Sequence, residues 1–70
     1  MHELRAEMVA SVWKLLVEEG QQVEEGTTVA ILESMKMEIP LFSPIQGTIA
    51  SLHVSEGDSV DEGDLIATLQ

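Results

Sequence analysis

One short stretch of this 70-residue chain, Glu33-Ser34-Met35-Lys36-Met37-Glu38, groups side chains that could do chemistry together. It sets a single primary amine between two thioethers, with a carboxylate on either side. A lysine amine of ordinary pKa, about 10.4, is unprotonated in only about one copy per thousand at neutral pH. Lys36 is therefore a weak nucleophile by itself, and no neighbour in sequence would activate it. Chemistry at this amine would need an activating, deprotonating environment supplied from outside the chain. Glu33 and Glu38 could pass for the carboxylate pair of a hydrolase, but they are better read as flanks of a turn.

Other residues offer less. The absence of cysteine removes disulfides, iron–sulfur clusters, thiolate zinc sites and cysteine nucleophiles. His2 and His53 stand alone, and acid-rich turns do not make a metal site by composition. Gly20, Gly26, Gly57 and Gly63 all follow a glutamate, which would repel a phosphate. Trp13 and Phe42 are read as packing residues in preference to a binding platform. Lys14 is the only other lysine and serves as an internal control for Lys36.

Charge narrows the field further. Thirteen acids against three bases give a net charge of −10, which argues against nucleic acid and anionic membranes as partners. A hydrophobic content of 44% is too high for a disordered acidic tail. The longest apolar run is four residues, Val29–Leu32, far too short to span a membrane. Met1–Arg5 lacks the layout of a signal peptide. The expectation is a soluble, cytoplasmic chain that folds as one domain over residues 1–70 and is monomeric on its own.

The elements that must position Lys36 follow from an internal repeat. Residues 10–33 and 47–70 align without a gap at an offset of 37, with identities at nine of 24 positions. Chance would supply about one or two. Each copy carries Glu-Gly twice, which marks chain reversals between short stretches rich in Val, Ile and Leu. Leu4, Met8, Val12 and Leu15 are spaced like a helical stripe, but the matching segment Ile45–Val54 holds Gly47 and several β-branched residues, so both are read as strands. Alternation slips phase at the same place in both copies, after Val12 and after Ile49, which predicts a bulge or bend that lets one strand serve two sheets. Two such units can bury an apolar face only against each other. The predicted fold is all-β, a flattened barrel or sandwich with a pseudo-twofold axis. The N-terminal strand of the first copy and the C-terminal strand of the second should lie close together.

Between the copies, Glu33–Glu38 must form a hairpin turn, yet it contains no Gly, Asn, Asp or Pro to adopt the usual turn dihedrals. Two methionines on such a turn spend apolar surface where polar residues would serve. Local rules of this kind tend to fail at functional sites.

Glu33-Ser34-Met35-Lys36-Met37 resembles the attachment motif of biotinyl domains, members of the biotin/lipoyl attachment family. Val17–Gly26 resembles that family's opening turns, and Ser43-Pro44-Ile45-Gln46-Gly47-Thr48-Ile49 its segment after the hairpin. The resemblance implies two four-stranded antiparallel sheets with the modified lysine on a hairpin. It implies that Lys36 receives biotin from a biotin protein ligase, with Glu33, Ser34, Met35, Met37 and Glu38 as the hairpin that the ligase reads. The tethered biotin would then carry a carboxyl group between a biotin carboxylase and a carboxyltransferase, the chain acting as carrier and not as catalyst. Two departures stand out: Val9-Ala10-Ser11 replaces the Pro-Gly that often precedes the first Val, and Ser34 replaces a frequent Ala. No insertion between Val12 and Gly20 forms the protruding thumb of some carrier subunits, so the chain is more similar to stand-alone attachment proteins. A lipoyl carrier, or a dual acceptor of lipoate and biotin, is the alternative; the two methionines favour biotin. An unacylated interaction module sharing the fold, or an enzyme in its own right, ranks below both.

Overall fold

A computed structural model describes all of Met1–Gln70 and contains strands only. The strands are β1 (His2–Arg5), β2 (Ala10–Leu15), β3 (Gln22–Val23), β4 (Thr28–Ser34), β5 (Met37–Phe42), β6 (Gly47–Leu52), β7 (Ser59–Val60) and β8 (Leu65–Leu69). They form two four-stranded antiparallel sheets, ordered β1-β8-β6-β3 and β5-β4-β2-β7. The two face each other as a sandwich and do not close into a barrel.

The offset of 37 maps β2, β3 and β4 onto β6, β7 and β8, and β1 onto β5, so it exchanges the two sheets. The correspondence holds pair by pair. Val12 lies opposite Leu32 where Ile49 lies opposite Leu69, and Ile31 opposite Pro40 where Thr68 lies opposite Glu3. All four Glu-Gly turns have glycine at positive φ, between +88° and +94°, where a side chain would be strained. The residue after each glycine closes its turn through a side-chain oxygen: Gln21, Thr27, Asp58 and Asp64 accept from the backbone N–H of Glu18, Glu24, Ser55 and Asp61.

Fourteen buried apolar residues make one cluster between the sheets, and Val12, Val29, Ile49, Ile66 and Leu69 are its most enclosed large members. Most occur as repeat partners, such as Val23 with Val60 and Ala30 with Ala67. Gly47, the counterpart of Ala10, must lack a side chain because a Cβ there would run into the carbonyl of Gln70.

The shared phase slip is a β-bulge in each copy, between Val12 and Lys14 and between Ile49 and Ser51. Each bulged strand stays within a single sheet, so the bulge bends the strand without passing it to the other sheet. Bulges disrupt the hydrogen-bond ladder locally. Here the N–H of Leu15 donates to Glu56 Oε2 at 3.0 Å, and that of its counterpart Leu52 donates to Glu19 Oε2 at 2.9 Å. Glu19 and Glu56 are themselves repeat partners. A turn of each copy thus completes the bonding of a bulged strand in the other.

Two expectations need correction. The strand beside β8 is β1, which precedes the first copy; β2, the first strand of that copy, lies in the opposite sheet. Trp13 and Phe42 are not core residues: they are 43% and 53% exposed. Trp13 sits in the bulge, where period-two alternation no longer tells inside from outside, and Phe42 faces the irregular start of β4.

Because each sheet takes two strands from each side of the β4–β5 turn, a chain cut between Lys36 and Met37 should give halves that show no cooperative unfolding alone. Cooperative melting of either half by circular dichroism would contradict the shared core. Replacing Glu19 or Glu56 by Ala should each destabilise the intact domain by about 1 kcal/mol in urea titrations. Unchanged midpoints would remove these carboxylates from the stabilising set.

Candidate functional site

The β4–β5 hairpin ends on the pair Ser34 and Met37, leaving Met35 and Lys36 as a two-residue loop. Both loop residues have positive φ, 53° and 66°, the signature of a type I′ turn. That turn matches the right-handed twist of the flanking strands and normally selects Asn and Gly. A residue with a Cβ is destabilised there by roughly 1–2 kcal/mol. The two strands nevertheless impose it, because they pair at every level from Thr28 with Phe42 to the tip, with one irregularity near the far end.

The loop projects its side chains into solvent. Met35 is 92% exposed and Met37 65%, so neither folds back into the core. Lys36 is exposed and makes no ion pair; the only salt bridge in the chain joins Arg5 to Glu3. Ser34 is half-buried beneath the loop. Glu33 and Glu38 are exposed and lie directly opposite each other, one pair below Ser34 and Met37. Like charges facing across strands are unfavourable, and no base offsets them. The hairpin therefore combines three locally costly features: Cβ-bearing residues at positive φ, bare methionines and opposed carboxylates.

The arrangement places all six candidate residues, Glu33 to Glu38, within one hairpin end. It does not build an enzyme pocket around Lys36. The one cleft in the molecule, about 500 Å³, is lined by polar residues including Gln21, Glu24, Gln46 and Thr48, away from the hairpin. No cluster of metal-ligating side chains exists. Lys36 can be reached from nearly every side, which suits an amine that another protein must envelop. Lys14, by contrast, lies along the sheet with Nζ 5.5 Å from the centre of the Trp13 ring. His53 is exposed, with Nε2 2.9 Å from Ser51 Oγ, and His2 is exposed near the chain terminus.

Comparison with known proteins agrees with this geometry. The family described as "Biotin-requiring enzyme" matches residues 3–69. The chain is 46% identical over 67 residues to the biotinylated protein TB7.3 homolog of Mycobacterium leprae, covering 96% of this chain and 94% of that one. It is also 46% identical over 63 residues to the biotin/lipoyl attachment protein of Bacillus subtilis, covering 90% and 86% respectively. Among solved structures, urea carboxylase of Kluyveromyces lactis superposes with a TM-score of 0.91 at 32% identity, over 99% of this chain and 6% of that one. The lipoyl domain of the 2-oxoglutarate dehydrogenase complex from Azotobacter vinelandii gives 0.87 over 100% of this chain and 96% of that one, and at 21% identity shows the fold alone. With the match running from β1 to the end of β8, the chain belongs to the biotin/lipoyl attachment family, as a biotin-requiring attachment domain similar to the carrier domains of biotin-dependent carboxylases.

Proposed function

We propose that Lys36 is the covalent attachment point for biotin and that the chain is a biotin carboxyl carrier. The observation that carries this reading is the amine's position at the apex of a strained two-residue turn, exposed and unpaired between two bare methionines. Such an amine fits an amide-linked group, because nothing must move to admit an acyl donor and no wall confines the product. A biotin protein ligase supplies biotinyl-adenylate and a basic group; the Lys36 nitrogen attacks the acyl carbon, loses a proton and displaces AMP. Met35, Met37, Ser34, Glu33 and Glu38 form the surface that the ligase reads. The amide cancels the lysine's charge and leaves a long flexible arm on a stiff hairpin. Once attached, biotin supplies the ring that carries a carboxyl group between a biotin carboxylase and a carboxyltransferase. The chain itself contributes position: tethering raises the effective concentration of the carried group at any active site within reach.

A second reading, lipoate on the same lysine, is favoured by the 46% identical relative whose name joins biotin and lipoyl attachment. Both exposed methionines beside Lys36 support biotin as the principal group.

The intact mass of the chain from its native host should exceed the sequence mass by one biotinyl group, with peptide mapping locating it on Lys36. A lipoyl increment would overturn the biotin assignment. Lys36→Arg should abolish the increment while melting as the parent does, and modification persisting on Lys14 would refute the site. Met35→Asn places a residue tolerant of positive φ in the turn and should raise stability by about 0.5–1 kcal/mol. The same substitution should slow ligase modification about tenfold through loss of a contact side chain. A marked fall in melting temperature would instead assign Met35 to the packed structure.

A further inference from the structure

The pseudo-twofold axis provides an internal comparison between the outer faces of the two sheets. On the β5-β4-β2-β7 sheet, Trp13, Leu16, Ile31, Pro40 and Phe42 lie on the side away from the core. Trp13, Leu16 and Phe42 are 43%, 49% and 53% exposed. The register joins them: Ile31 lies between Pro40 on β5 and Lys14 on β2, and Lys14 bends back over Trp13. The equivalent positions on the other sheet are Ala50, His53, Thr68, Glu3 and Arg5. There the face is polar and self-satisfied, through His53 to Ser51, Ser51 to Thr68, and Arg5 to Glu3. One fold and one register thus carry two outer faces of opposite character. Folding does not require the apolar one, since its symmetric counterpart does without it. The apolar face belongs to the sheet that ends in Lys36, and Glu33 and Glu38 lie between its apolar centre and the tip.

We propose that this face is the docking surface for the biotin carboxylase component that loads the carrier, with Trp13 and Phe42 as its anchors; the proposal rests on the carrier reading of Lys36. The face calls for a partner with an apolar centre and a basic rim, the basic groups meeting Glu33 and Glu38 within a chain of net charge −10. A second copy does not fit. It would bring two such charges, and two sets of Glu33 and Glu38, together. A ligase has less use for the face, because it forms its bond at the lysine nitrogen and must close around the tip. A carboxyltransferase works at the far end of the arm, and docking of that enzyme alone would leave the carboxylase KM unchanged. A carboxylase works there too. It can hold the body by the side of the sheet, three residue pairs (roughly 10 Å) back from the tip, and leave the arm free to enter its pocket.

The test uses carrier biotinylated by the host ligase and the host biotin carboxylase, with carboxylation of the carrier followed by incorporation of labelled bicarbonate. Trp13→Ser combined with Phe42→Ser should raise the KM for carrier about tenfold, with kcat and the rate of ligase modification within about twofold of the parent. Arg5→Ser combined with His53→Ser, on the other face, should leave KM unchanged. Phe42→Ser alone should give an intermediate KM, and it keeps the test valid if the double variant melts early. An unchanged KM in a folded variant would overturn the proposal. So would an equal loss in the ligase reaction, which would make the face a ligase contact, or a parent chain that is dimeric in solution where the variant is monomeric. A parent chain left unmodified by the ligase would overturn the carrier reading itself, an outcome visible before any carboxylase is added.

Discussion

Mutual burial of two similar half-chains is the constraint on which the rest of the structure depends. Neither copy can assemble a sheet alone, because each sheet draws two strands from either side of the β4–β5 turn. The fourteen-residue core draws on both halves, and no disulfide supports it. Small domains often need such staples because they bury a modest share of their surface. Interleaving compensates by setting the β2–β4 pair of one copy against the β6–β8 pair of the other, so that each covers the other's apolar face. Glu19 and Glu56 extend the principle to polar groups, each turn completing the hydrogen bonding of the other copy's bulged strand.

That interlocked frame explains how an unfavourable hairpin persists. A free peptide with Met35 and Lys36 at positive φ and Glu33 facing Glu38 would unravel. Here β4 is held on its other side by β2, and its inward residues Val29, Ala30 and Leu32 are among the most buried in the chain. The core overrides the turn's own preference, which frees the turn's sequence to be chosen for recognition.

Much of this was legible in the residues because the repeat doubled each signal. Glu-Gly at four equivalent points located the turns, and the joint phase slip after Val12 and Ile49 located both bulges. The repeat also overruled a helical spacing from Leu4 to Leu15 that would have misassigned β2. The orientation of Trp13 was hidden by the same bulge, which places an extra residue where alternation cannot assign a face. Nothing local marks Glu19 and Glu56 as partners of the bulged strands, since the groups they bond lie 33 and 41 residues away in sequence. The outer-face asymmetry could have been read from the repeat: setting Trp13, Leu16 and Ile31 against Ala50, His53 and Thr68 shows apolar against small or polar at three positions of one alignment.

The pairing of β1 with β8 has a further consequence. His2 lies opposite Leu69, and β1 then leads away from that end of the molecule to Ala10, beside the hairpin. The first and last strands therefore meet at the pole remote from Lys36. A longer polypeptide could enter and leave the unit there, side by side, without passing the attachment end. The fold is thus a modular bead that can be threaded into a far larger chain with the hairpin end left free.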